Sequence, residues 1–112
     1  MHAPAVNDSL VILSFGDGRV LTYETNNGIP RWTFRAGSVI GTSPLIADNY
    51  VFFGSLDHNF YALNARTGDL RWQQELEGRV RTNPIIVGER LIVASEERYV
   101  YVFGKAAPVA TN

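Results

Sequence analysis

Apolar and polar positions along this chain come in short bursts, and the bursts return every 40 residues. Val11-Ile12-Leu13 returns as Val51-Phe52-Phe53 and again as Leu91-Ile92-Val93. In the middle period, Ser43–Ala47 is apolar and stops at the turn pair Asp48-Asn49. Tyr50–Gly54 follows, rich in β-forming residues, and Leu56-Asp57-His58-Asn59 breaks it. Phe60–Leu63 is the third burst, and Ala65-Arg66-Thr67-Gly68-Asp69 the next turn. Leu70–Leu76 then alternates, an arrangement that predicts Leu70, Trp72 and Leu76 on one face and charges on the other. No window carries an apolar stripe at helical spacing, so the pattern predicts an all-β fold of four short strands per period.

The period is marked by single residues as well. Gly28, Arg31, Trp32, Thr42 and Pro44 recur as Gly68, Arg71, Trp72, Thr82 and Pro84, and Asp17 recurs as Asp57. Four-stranded units at this spacing are the sequence form of propeller blades, so the expected architecture is a partial β-propeller of four-stranded antiparallel blades. The units run over about 3–36, 43–76 and 82–103. After Gly104 the pattern stops, and the tail 104–112 has neither the Thr-Gly turn nor the Trp. The third unit is therefore expected to lack its outer strand, which leaves the edge Tyr99–Phe103 unpaired.

Composition narrows the function more than the fold. Of 112 residues, 46% are apolar, enough for a core, and the net charge of -1 offers no basic surface for nucleic acid. The absence of cysteine removes disulfides, thiolate metal sites and cysteine nucleophiles. No stretch approaches the roughly 20 apolar residues of a membrane-spanning helix, and Met1–Leu10 does not read as a signal peptide. His2 and His58 are the only histidines and lie far apart, so no metal site is expected. Ser14, Ser55 and Ser95 recur near strand ends without a nucleophile-elbow motif, and the neighbours Asp57 and His58 are expected to point apart, so no catalytic residue is expected.

The blocks Tyr50–Asp57, Tyr61–Gly68 and Arg71-Trp72 resemble the tryptophan-docking repeat of the pyrroloquinoline-quinone (PQQ)-type propeller family. The first unit keeps Asp17-Gly18, Gly28 and Trp32 but has Asn26-Asn27 before its glycine; the third keeps Ser95 and Tyr101 but loses the Trp. Within that frame Gly28 and Gly68 are expected at turn positions with positive φ. Trp32 and Trp72 are each expected to bury about 150–250 Å² between blades, and Pro44 and Pro84 to open innermost strands. Proteins sharing this repeat include PQQ dehydrogenases, the propeller lipoprotein of bacterial outer-membrane assembly, and sensor or scaffold domains.

Up-and-down topology puts the loop between the second and third strands of a blade beside the connector to the next blade. Gly16-Asp17-Gly18, Leu56-Asp57-His58 and Glu96-Glu97-Arg98 thus share a rim with Gly37-Ser38-Val39 and Glu77–Arg81. Asp57, His58, Arg79, Arg81 and Arg98 are the candidate binding residues there. The alternative reading has Asp17 and Asp57 capping tight turns. The resemblance implies a non-catalytic interaction or scaffold module of the cell envelope, without a cofactor, whose partners are proteins or other blades. Two alternatives are a piece of a quinoprotein dehydrogenase, and a self-assembling fragment or sensor domain of a larger protein. Three blades leave two open apolar faces, so the chain is expected to associate with itself or to belong to a larger propeller.

Overall fold

The computed structural model of the chain describes residues 4–95 and 99–103, and every regular element among them is a strand. The first sheet is a meander of β1 (Ala5–Val6), β2 (Leu10–Ser14), β3 (Arg19–Glu24) and β4 (Pro30–Arg35). The second repeats it with β5 (Leu45–Ala47), β6 (Tyr50–Gly54), β7 (Asn59–Asn64) and β8 (Leu70–Glu75). In the third, β9 (Ile85–Val87), β10 (Arg90–Ala94) and β11 (Val100–Phe103) are described, and the tail 104–112 lies outside the described residues. All neighbouring strands run antiparallel.

The turns follow from their polar residues. Asn7 Oδ1 accepts the backbone N–H groups of Ser9 and Leu10, and Asn64 Oδ1 those of Arg66 and Thr67. Asp17 and Asp57 accept from the backbone N–H two residues on, at 3.2 and 2.9 Å, so both carboxylates do cap tight turns. The β3–β4 and β7–β8 turns close through Gly28 N–H to Glu24 and Gly68 N–H to Asn64, with the glycines at φ 70° and 79°. That left-handed backbone is why glycine recurs there.

One expectation fails within β8. Leu70 stands opposite Leu63, while Trp72 stands opposite Ala62, with a bulge between the two pairs. Because adjacent residues of β7 point to opposite faces, the bulge takes Leu70 off the Trp72 face and leaves it 47% exposed. The first sheet has the same irregularity between Leu21 and Tyr23.

The sheets stack face to face. Leu10, Ile12, Val20, Ala36 and Ile40, with Trp32 and Phe34 beside them, pack on Val51, Phe53, Tyr61, Leu63 and Ala65 of the second sheet. The reverse side of the second sheet presents Phe52, Phe60 and Trp72, joined by Leu76 and Val80, to Leu91, Val93, Tyr101 and Phe103 of the third. We call the receiving side of each sheet its leading face and the delivering side its trailing face. The connector into the second sheet is itself part of the seam: Ile40 bridges Ser55, Gly41 N–H donates to the Gly54 carbonyl, and Leu56 N–H to that of Val39.

Among the described residues the middle sheet is covered on both sides, whereas the end sheets are packed on one. Val51, Phe53, Tyr61 and Leu63 are buried, but their counterparts one period earlier, Val11, Leu13, Leu21 and Tyr23, are only half-buried. On the trailing face of the third sheet, Ile85, Val87 and Val100 are exposed and Ile92 and Val102 half-buried.

Candidate functional site at the connector rim

The rim predicted from topology exists between the second and third sheets. The β6–β7 loop ends at His58, whose carbonyl accepts the backbone N–H of Leu76 at 2.7 Å and so ties the loop to the outgoing connector. Beside this tie lies a cleft of about 420 Å³ lined by His58, Glu75, Leu76, Glu77 and Tyr101. Its floor is fixed by Tyr101, whose hydroxyl accepts the Glu77 backbone N–H at 2.7 Å. With two carboxylates in its lining, the cleft suits a cationic or hydrogen-bond-donating side chain.

His58 holds φ 73°, in the left-handed region where the first sheet has Gly18 at φ 92°. A side chain there costs about 1–2 kcal/mol. The loop geometry is that of a glycine position, yet it carries an exposed imidazole at the mouth of the cleft. Arg79 and Arg81 lie exposed on the adjoining connector. Arg98 lies outside the described residues.

Asp57 points elsewhere. Its Oδ2 accepts the Tyr61 hydroxyl proton at 2.7 Å, and its Oδ1 takes the Asn59 N–H. Burial first, and then the Asp57 carboxylate, push the Tyr61 phenol up to about 12, while a backbone N–H from Gly37 works against them. Asp57 and Tyr61 therefore fasten the connector between the first and second sheets and leave the open rim to His58 and the arginines. Tyr61 and Tyr101 lie within strands, and their recurrence at 40 residues, with Leu21 in the corresponding place of the first unit, is the sequence signal for their role at the connectors.

The seams explain the other recurrent residues. Trp32 Nε1 donates to the Ala65 carbonyl at 2.8 Å, and its ring covers Gly68 so closely that a Cβ there would lie 2.6 Å from Trp32 Cδ2. Gly68 thus answers two demands, positive φ and a neighbouring indole. Trp72 meets Phe103 edge-on at 4.7 Å and Phe60 at 6.1 Å. Pro44 and Pro84 are buried just ahead of β5 and β9. Among the described residues, no group of three or more histidine, aspartate or glutamate side chains is placed to hold a metal ion, and no helix is long and apolar enough to cross a membrane.

Antiparallel meanders stacked in series, each plugging an outer-strand tryptophan into the next, define a β-propeller repeat protein. The family model described as outer membrane protein assembly factor BamB matches residues 16–107, and the chain belongs to that family. It is 25% identical over 100 residues to BamB of Legionella pneumophila, covering 88% of this chain and 26% of that protein. It is 29% identical over 103 residues to the quinoprotein alcohol dehydrogenase PedH of Pseudomonas putida, covering 80% and 17%. BamB of Moraxella catarrhalis superposes with a TM-score of 0.84 at 24% identity, over 96% of this chain and 33% of that one, a likeness of fold. The chain thus spans a third or less of these relatives.

Proposed function

We propose that the chain is a non-catalytic protein-interaction module of the cell envelope that serves in outer-membrane protein assembly, with the rim around His58 and Arg79 as its contact surface. The carrying observation is His58. An exposed side chain held at φ 73° beside a cleft, where the preceding repeat uses glycine, is strain with no folding benefit in view. His58 and Arg79 are the residues to bear the contact, with Glu75 and Glu77 supplying the acidic wall; Arg81 lies on the same connector, and the sequence assigns Arg98 to the corresponding loop of the third unit. The family match over 16–107 supports the assembly role.

The test is interferometry of the immobilised chain against the detergent-solubilised outer-membrane protein assembly complex of Legionella pneumophila. Saturable binding is expected, weakened at least tenfold by Arg79→Glu, with His58→Gly losing binding while holding or slightly raising stability. Absent binding, or binding that ignores both substitutions, would sink the proposal.

The likeness to PedH favours one competing reading, a piece of a quinoprotein dehydrogenase. The described residues bring together no group of three or more histidine, aspartate or glutamate side chains, and the chain covers 17% of PedH, so the two readings are separated by experiment. A thermal-shift assay with PQQ and calcium should leave the melting temperature unchanged; a concentration-dependent rise would favour the enzyme reading. Other blades are the second kind of partner proposed, through the open end faces.

A further inference from the structure

The β3–β4 turn departs from the repeat at one pair of residues. Where the second unit has Arg66-Thr67 ahead of Gly68, the first has Asn26-Asn27 ahead of Gly28. Asn27 Oδ1 accepts the Ile29 backbone N–H at 3.0 Å, and its amide nitrogen presents a donor to the Glu24 carboxylate, which Arg31 holds at 2.8 Å. Residues 25–31 are exposed throughout.

A side-chain carbonyl bonded to the N–H two residues on bends back over the intervening peptide, so the Asn27 carboxamide lies across the Gly28 nitrogen. The bond from Ile29 also polarises that carbonyl. Nothing lies within 4 Å of the place a Gly28 Cβ would take, so no atom obstructs closure of a ring there. Three asparagines share this geometry: Asn7, Asn27 and Asn64 each accept from the N–H two residues on, and they are followed by Asp8, Gly28 and Ala65. Asn83 precedes Pro84, which has no N–H. Asp17-Gly18 has a carboxylate in place of the amide, and a Cβ at Gly18 would lie 2.7 Å from the Ser38 carbonyl oxygen. Asn27 alone among these combines the amide, the bent-back carbonyl and an uncrowded glycine.

We propose that Asn27 is a self-modification site, converted by the chain's own backbone to aspartate and isoaspartate. The Gly28 nitrogen gives its proton to solvent and attacks Asn27 Cγ. The new C–N bond forms, the Cγ–Nδ2 bond breaks, and the amide nitrogen leaves as ammonia after taking a proton from solvent. The product is a five-membered succinimide. Water then adds to one of its two carbonyls and reopens the ring, giving aspartate, or isoaspartate with the backbone rerouted through the side chain. Water is the only co-reactant, and nothing is oxidised or reduced. Gly28 N–H donates to the Glu24 carbonyl at 2.9 Å in the closed turn, and the exposure of the whole turn lets that bond open without moving the core.

The change is felt where it happens. A carboxylate replaces the donor facing Glu24, and the net charge moves from -1 one unit further negative. Glu24 and Arg31 line a polar cleft of about 470 Å³ between the first and second sheets, with Arg66 on its other side, so the new charge arrives at the wall of that cleft. Isoaspartate adds a methylene to the backbone, so the turn cannot keep both its Gly28–Glu24 and its Ile29–Asn27 bond. The second unit shows that a preceding sheet leaves this position open: Thr67 is exposed although Trp32 covers Gly68. The site is also remote in sequence from the rim around His58, so its failure and that of the proposed function are separable.

Mass spectrometry of the folded chain, held in warm, mildly alkaline buffer made with isotopically heavy water, tests it. The tryptic peptide Val20–Arg31 should gain, with time, the mass of an amide group exchanged for a heavy-oxygen hydroxyl. Fragment ions should place the gain at Asn27, with isoaspartate among the products. Conversion there should run at least about tenfold faster than at Asn7 or Asn64, which share the turn geometry without the glycine. Asn27→Thr, which copies the second unit, should abolish the acidic species that accumulates on ion exchange. Three results would each overturn the proposal: a folded chain that keeps Asn27 intact while the guanidinium-unfolded chain converts it, conversion at Asn26 instead, or a rate at Asn27 no greater than at Asn7 and Asn64.

Discussion

The two seams of this molecule occupy the same place in the repeat and, among the described residues, differ in how their aromatic rings are arranged. Between the first and second sheets, a tryptophan donates a hydrogen bond to a carbonyl, a tyrosine hydroxyl is held by a carboxylate, and Phe34, Phe53 and Tyr61 form a small aromatic cluster. Between the second and third, the place of Phe34 is taken by Gln74 and that of Leu63 by Phe103. The aromatic weight moves with them: Phe103 stacks on Phe60 at 6.3 Å and on Tyr101 at 6.4 Å while receiving the edge of Trp72. A repeat thus conserves where neighbours meet and leaves open how they are fastened. Apolar area does most of the holding in both, and the polar latches set direction and position.

The contrast can be broken hardest at Phe103, which is 2% exposed. Phe103→Ala should destabilise the chain by about 3–5 kcal/mol, with loss of near-ultraviolet aromatic dichroism and a lowered urea midpoint. A cost below about 1 kcal/mol would mean that the second seam is not aromatic in its energetics. The next largest effect lies at the glycines. Gly68→Ala meets both positive φ and the Trp32 ring, whereas Gly28→Ala meets only the former, about 1–2 kcal/mol. Gly68→Ala should therefore cost clearly more in chemical denaturation, and Trp32→Ala should remove the excess in a double-mutant cycle. Equal costs at the two glycines would mean that the indole does not press on Gly68.

Tyr61→Phe falls below Phe103→Ala and in the range of the glycine substitutions. Loss of one hydrogen bond to a charged partner should cost about 1.5–3 kcal/mol near neutral pH. Its more specific mark is in the pH dependence. The phenol is raised in the folded chain from 10 to about 12, so its contribution is complete below pH 10 and is lost as pH rises toward 12. Wild-type stability should fall through that window, and Tyr61→Phe should flatten that part of the profile. An unchanged slope would disconnect Tyr61 from Asp57.

The fold could be read from the chain because its signals are periodic. Recurrence of Gly28 and Trp32 at Gly68 and Trp72 fixed the unit, and the bursts around Val51 and Leu91 fixed its strands. The bulge that separates Leu70 from Trp72 could not be read, because a strand pattern assumes strict alternation and an inserted residue breaks it silently. The rim was legible as a set of loops sharing one edge. Which residues face outward was not: Asp57 and His58 are adjacent and polar, and only the backbone turns one toward Tyr61 and holds the other at φ 73°. Side-chain direction in a turn depends on dihedrals that residue type alone does not set.

The Trp32–Gly68 joint has a consequence for how such molecules change over generations. Each of the first two forty-residue units carries an indole plug on one strand and a glycine socket at the turn before it, and the two are never interchangeable. Duplicating the coding segment of one unit therefore creates a neighbour that already fits, with no new surface to be invented. Lengths can grow or shrink in whole units, and the seams between them are free to diverge one latch at a time.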